Sequence, residues 1–147
     1  MLGTGVRRVK TFNQLIRLHR HRLHERQKVL TKLEAEAGEL QHKRDALEAE
    51  ALIEEARAEE SQFGIMAFAK YFARVKDRRN LLADARLALD QKLIAARTDL
   101  KAVFEELKRI EILRDQKLAD AAAAEKKAEQ LALDEVAINQ HRRSGNA

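Results

Sequence analysis

The residues of this chain best suited to bind a metal ion are three neighbouring histidines, His19, His21 and His24. On a helix, His21, His24 and the adjacent Glu25 share one face, and imidazole and carboxylate groups are ligands that zinc accepts. Histidines spaced in this way on a basic helix are usually only solvated, and we favour that interpretation. His19 falls on the apolar repeat described below, where we expect a tolerated core residue. We therefore predict no metal site.

No other pattern in the sequence is typical of an active site. We find no glycine-rich phosphate loop, no nucleophile elbow and no zinc-type spacing of ligands. The carboxylates lie on open helix faces, where no pocket would shift their pKa values toward those of a general acid or base. The sequence therefore predicts a protein that is not an enzyme and that has no cofactor and no small-molecule substrate.

The composition is that of a long helix or coiled coil. The chain has no proline, 36% charged residues and only 4% aromatic residues. It has no run of about 18 apolar residues that would span a membrane, and its N-terminus lacks the apolar segment of a secretory signal. The absence of cysteine fits the cytoplasm, where disulfides are rare.

The elements that position all these side chains are helices with a seven-residue apolar repeat. The clearest stretch runs from Leu89 to Ile110, and its repeat consists of Leu89, Leu93, Ala96, Leu100, Val103, Leu107 and Ile110. We call the a and d positions of this repeat the seam. In the N-terminal half the seam consists of Val9, Phe12, Ile16, His19, Leu23, Arg26, Leu30, Leu33, Ala37, Leu40, Arg44, Leu47, Ala51, Glu54 and Ala58. So narrow a stripe needs a second helix for its burial.

The helical signal weakens only near residues 61–65. We predict a single coiled-coil hairpin over residues 1–147, with helix 1 at about 8–60, a turn at about 61–65 and helix 2 at about 66–141. Gly64 is expected to end the first helix in a left-handed conformation. Residues 1–6 are expected to be frayed, and residues 144–147 to be disordered.

The seam arginines decide how the helices pair. The repeat continues through the turn without a slip, so one unbroken helix in a parallel dimer is an alternative. That dimer would set Arg44, Arg79, Arg86 and Arg114 each against its own copy along a desolvated line. A chain folded back at the turn instead pairs Leu33 with Leu93, Ala37 with Leu89, Arg44 with Leu82, Leu47 with Arg79, Ala51 with Val75 and Ala58 with Phe68. The predicted fold is all-α, a long two-helix antiparallel coiled-coil hairpin. An antiparallel dimer of unbroken helices satisfies the same pairing, so monomer and dimer both stay open.

The same register leaves everything beyond Asp120 without a partner in the chain. This overhanging C-terminal helix includes Ala121–Ala124, and it carries Leu131 and Ile138 on the seam. Alanine favours the helix, but burial of this face needs another protein.

Charge and aromatic residues are unevenly distributed. Nine Lys and Arg residues precede Leu33 against Glu25 alone, which indicates either an acidic partner at this end or a solvated face that keeps the chain soluble.

Phe63, Phe68, Tyr71 and Phe72 gather at the turn. Phe68 and Phe72 lie on the seam and should pack across the turn, whereas Phe63 and Tyr71 lie off it and should be partly exposed, either to dock a partner or to cap the core. Binding to nucleic acid or to a membrane surface is less favoured, because no recognition fold is visible and the seam occupies the apolar positions.

The C-terminal end carries more specific residues. Glu129-Gln130 precedes Asp134-Glu135 and Val136-Ala137, and the run closes on His141-Arg142-Arg143. This order of residues resembles the FliJ family, and the resemblance extends over nearly the whole chain. It includes the basic start with Phe12, Leu15 and Leu18, the pair Ala96-Arg97, and the run from Lys101 to Leu107. These are small coiled-coil proteins of the flagellar type III export apparatus. The related YscO-like proteins of virulence secretion share the architecture and are an alternative, as is a purely structural coiled-coil scaffold.

The resemblance implies a stalk like that of rotary ATPases. Its expected partners are the export ATPase hexamer, the membrane protein of the export gate and the export chaperones, and its expected location is the cytoplasm, peripherally associated with the inner membrane. For the ATPase end we assign Arg7, Arg8, Lys10, Arg17, Arg20, Glu129, Gln130, Asp134 and Glu135. For the gate or a chaperone we assign Phe63 and Tyr71.

Overall fold

The computed structural model describes residues 2–60 and 62–146, apart from the side chains of residues 2–4, 6, 62 and 63. This part of the chain forms two α-helices, α1 (Leu2–Ala58) and α2 (Gln62–Gly145), and contains no strand. The predicted all-α class is confirmed. Neither described helix has a stretch apolar enough to cross a lipid bilayer.

The helix ends differ from the predicted ones. α1 begins at Leu2 and α2 continues to Gly145, so the segments expected to be frayed or disordered are helical over their described residues. A glycine in a helix costs only about 1 kcal/mol, and nothing in these segments breaks the helix as proline would. Met1 and Ala147 lie outside the described residues.

The turn occupies Glu59 and Glu60, with Ser61 outside the described residues. The amide of Glu59 donates to the carbonyl of Glu55, and the amide of Glu60 donates to that of Arg57, both at 3.3 Å. Gly64 lies inside α2, and none of the described glycines has a positive φ. The prediction that Gly64 ends the first helix in a left-handed conformation is therefore wrong. The last turn of α1 closes through these backbone hydrogen bonds instead.

The chain divides into two compact units. The first, Leu23–Ala102, contains the turn. In it Ala37, Leu89 and Leu93 form one buried cluster, against which Leu30, Leu33 and Leu40 pack. Nearer the turn a second cluster contains Leu47, Ala51 and Val75, with Tyr71 and Leu82 packed against it. These clusters bring together the predicted pairs Ala37–Leu89, Leu33–Leu93 and Ala51–Val75, so the antiparallel register of the hairpin is confirmed.

The second unit comprises Met1–Arg22 and Val103–Ala147. Its buried residues are Ile16 on α1 and Leu107 and Ile110 on α2, with Ile16 only 2% exposed. Arg114 is the last half-buried residue of α2, and every described residue from Asp115 to Asn146 is exposed. We call residues 115–146 the overhang. It begins earlier than the predicted Asp120, because α1 offers no half-buried side chain before Val9 among its described residues.

Burial in α1 follows the predicted seam. All five buried residues of this helix, Ile16, Ala37, Leu47, Ala51 and Ala58, are seam positions. Outside the seam, only Glu48 is half-buried among the described side chains of α1. The two seam arginines of α1, Arg26 and Arg44, are exposed, as expected when a long side chain keeps its charged end in water.

Candidate functional site

The aromatic cluster near the turn is arranged differently from the prediction. The ring of Phe68 lies 6.3 Å from that of Tyr71 and 5.8 Å from that of Phe72, centroid to centroid. Phe72 is 42% exposed, and the guanidinium of Arg79 lies 5.6 Å from the centre of its ring. The expected packing of Phe72 across the turn is therefore wrong. Tyr71 occupies the inner position instead, because the buried face of α2 near the turn follows Phe68, Tyr71 and Val75 rather than the strict seven-residue repeat.

Tyr71 is held by packing rather than by hydrogen bonding. It packs against the cluster of Leu47, Ala51 and Val75, and its buried hydroxyl has no hydrogen-bond partner within the described part of the chain. Burial raises the pKa of this phenol, and the nearby carboxylates of Glu50 and Glu54 raise it further. Its ring is half-buried, while the side chain of Phe63 lies outside the described residues. A docking role for this pair stays a prediction.

The seam arginine Arg79 binds a carboxylate across the two helices. Its guanidinium donates two hydrogen bonds to the carboxylate of Glu48, one of them from Nη2 to Oε2 at 2.7 Å. The hydrogen bond from Arg79 lowers the pKa of Glu48, and the positive charge of Arg44 acts in the same direction. A two-pronged pair of this kind fixes geometry more firmly than a single contact does.

Arg86 is held in a related way. Its Nε donates to Asp90 Oδ1 at 2.9 Å, and its Nη1 donates to the carbonyl of Ala37 at 3.4 Å. The sequence did not lead us to Glu48 or Asp90 as partners of the seam arginines. The available signals were the place of Glu48 beside the seam, where charged residues pair between coiled-coil helices, and the four-residue spacing of Arg86 and Asp90 on α2.

The concave surfaces between the helices are open. One groove in the unit that contains the turn is lined by apolar Leu40 and Leu82 and by charged Arg44, Glu48 and Arg79, among others. His21 and His24 are exposed and His19 is half-buried. Within the described residues, no three histidine, aspartate or glutamate side chains come close enough together to hold a metal ion.

The basic residues assigned to the ATPase end lie exposed on α1. Within the described part of the chain, the side chains of Arg7, Arg8, Lys10 and Arg17 are in no ion pair. Arg20 lies 3.5 Å from Glu111, a carboxylate that also binds Lys108 at 3.2 Å. This end of α1 therefore presents cations that the described residues leave almost entirely unneutralised.

The other assigned residues of this unit, Glu129, Gln130, Asp134 and Glu135, lie exposed in the overhang. Among described residues, no hydrogen bond or ion pair joins them to the basic residues of α1, so the structure places the two sets in one unit without direct contact. The overhang also exposes large apolar side chains, each at least 45% accessible: Leu118, Leu131, Leu133, Val136 and Ile138. Sequence reasoning singled out Leu131 and Ile138 and missed the other three, because they lie off the seam.

Comparison with known proteins identifies the family. The family model described as "Flagellar FliJ protein" matches residues 9–146. The comparison with curated proteins found no match, and neither did the comparison with solved structures. The match covers nearly the whole chain, the two helices and their turn included. The protein therefore belongs to the FliJ family of flagellar proteins, components of the flagellar export apparatus.

Proposed function

We propose that this protein is a non-enzymatic stalk of the flagellar export apparatus, which links the export ATPase ring to the membrane export gate and handles export chaperones. It would act in the cytoplasm, peripherally associated with the inner membrane. The observation that carries the proposal is the overhang: about 30 residues of helix extend past the last half-buried position and expose apolar side chains. Burial of such side chains by a partner would gain free energy.

The unit that bears the overhang is the one we assign to the ATPase. It combines the exposed apolar residues with the unneutralised cations of α1, Arg7, Arg8, Lys10 and Arg17. A ring that presents apolar side chains and carboxylates along its pore would complement both features. The unit that contains the turn is left for the gate protein or the chaperones, with Phe63 and Tyr71 as contacts.

Substitutions in the full-length chain test the ATPase assignment. Replacing both Leu131 and Ile138 by glutamine should weaken capture of the purified export ATPase by at least about tenfold, since each loses a large buried side chain in the complex. The matched control replaces Leu81 and Ile94, which are 68% and 64% exposed in the other unit. The assignment is wrong if the control pair weakens binding as much as the overhang pair does.

The assignment of Phe63 and Tyr71 to the gate protein or a chaperone is tested separately. Replacing Phe63 and Tyr71 by alanine should weaken binding to the gate protein or a chaperone. Because Tyr71 packs against the Leu47 cluster, the variant should also lose stability, so binding is compared under conditions where its far-ultraviolet circular dichroism is unchanged. Tyr71→Phe is the control, because it keeps the ring and removes only the hydroxyl. A loss of helicity in the alanine variant would mean that these residues act in the core and not in docking.

A further inference from the structure

The charges that flank the seam in the overhang are arranged for a partner of the same sequence. If the seven-residue repeat is continued into the overhang, the seam consists of Lys117, Ala121, Ala124, Ala128, Leu131, Glu135 and Ile138, all exposed. Lys127 and Asp134 lie beside it, seven residues apart and opposite in charge. A helix that carries both signs at this spacing can pair with a reversed copy of itself, because each cation then meets an anion.

We propose that the overhang binds the overhang of a second copy of this chain as an antiparallel coiled coil, with Ala128 against the partner's Leu131. In this register Ala121 faces the partner's Ile138 and Ala124 faces the partner's Glu135, so a small side chain meets a large one at each layer between residues 121 and 138. Lys127 lies beside the partner's Asp134, and symmetry forms this ion pair twice. The proposal does not depend on which protein the overhang binds in the export apparatus.

Neighbouring registers are disfavoured by like charges. A shift of one heptad in one direction sets Lys127 against the partner's Lys127 and Asp120 against the partner's Asp134. A shift in the other direction sets Asp134 against the partner's Asp134. A parallel pair would place Lys117 and Glu135 each opposite its own copy in the seam. Like charges at these positions oppose association, so only the first register is free of them between residues 121 and 138.

The same alignment limits the length of the contact. It sets Lys117 against the partner's Arg142, so the overlap that is free of like charges spans residues 121–138. Eighteen residues of helix correspond to about 27 Å. An interface so short is of the weak, transient class. We therefore expect a dimer dissociation constant between about 1 μM and about 1 mM. Sedimentation of the full-length chain over this range of concentrations measures it.

Charge reversal provides the decisive comparison. Lys127→Glu should raise the dimer dissociation constant about tenfold, because two attractive pairs become repulsive, and Asp134→Lys should do the same. The double variant Lys127→Glu/Asp134→Lys should restore dimerisation, since it exchanges the charges across the interface. Lys126→Glu is the control: it makes the same change of charge on the face away from the seam and should alter the constant by less than about twofold. The proposal fails if the chain sediments as a monomer over the whole range, if the double variant does not recover, or if the control acts as strongly.

Spin labels determine the direction and the site of pairing. The chain has no cysteine, so a single introduced cysteine is the only labelled position. Labels at Gln140 in the two copies should lie about 30 Å apart, and labels at Gln130 within about 20 Å, because Gln130 is next to the symmetry axis of the antiparallel pair. Equal short distances at both positions would indicate parallel pairing, and no intermolecular distance at either would place the contact elsewhere; each result refutes the proposal.

Discussion

Ile16 is the residue whose replacement tests the seam most directly. It is 2% exposed, on α1 in the unit that bears the overhang. Ile16→Ala removes three carbon atoms, at about 0.8 kcal/mol for each buried methylene equivalent. Alanine returns roughly 0.4 kcal/mol through its higher helix propensity, while the cavity left in the seam adds a cost. We expect the free energy of unfolding to fall by about 2–3 kcal/mol.

The matched control is Ile53→Ala, because Ile53 is 55% exposed on the same helix. It loses the same three carbons and gains the same helix propensity, so its stability should change by less than about 0.5 kcal/mol, and upward if at all. Ile16→Val gives an intermediate point, with a loss of about 1 kcal/mol.

Urea unfolding followed by far-ultraviolet circular dichroism measures all three variants. Hydrogen exchange of the α1 amides around Ile16 reports whether the loss is local, which matters because the two units need not unfold together. The reasoning is refuted if Ile16→Ala and Ile53→Ala shift the urea midpoint equally, since the buried seam would then contribute no more than the exposed face.

Three further predictions concern ionisation and helix propensity. The hydrogen bond from Arg79 lowers the pKa of Glu48 below its ordinary value of 4.5, so this carboxylate stabilises the folded state above pH 4.5 and loses the effect as the pH falls through its lowered pKa. The urea midpoints of wild type and Glu48→Gln should differ at pH 7, and the difference should shrink as the pH is lowered below 4.5; a constant difference would contradict the pairing. Tyr71 is the only tyrosine, and burial raises its pKa above 10.0, so its absorbance titration should have a higher midpoint pH than that of free tyrosine. Its contribution to stability should be present below pH 10 and lost as the pH rises through the raised pKa. A titration at the ordinary value would show that the phenol is not buried. Gly38 lies within α1 with nothing within 4 Å of an added Cβ, so Gly38→Ala should raise the free energy of unfolding by about 0.5–1 kcal/mol and raise the thermal midpoint with it. A lower midpoint would mean that the site is not open helix.

The predicted seam and pairing were correct because both depend on information local to the sequence. A seven-residue repeat fixes which face of each helix is apolar, whatever the partner. The antiparallel direction then followed from avoiding contacts between seam arginines, and the register followed from folding the chain back at the turn. The shared cluster of Ala37 and Leu89 confirms both. The absence of proline likewise left little freedom except the position of one turn.

Only the tertiary structure decided the details near that turn. The repeat favoured Phe72 as the inner aromatic residue, yet Tyr71 packs against the Leu47 cluster, because the buried face of α2 near the turn follows Phe68, Tyr71 and Val75. Glu48 became the partner of Arg79 for a similar reason, since the choice of a carboxylate depends on the distance between atoms on two helices. Periodicity determines which side of a helix is buried, but the position of each side chain is set by the partner helix and is not encoded in either segment alone.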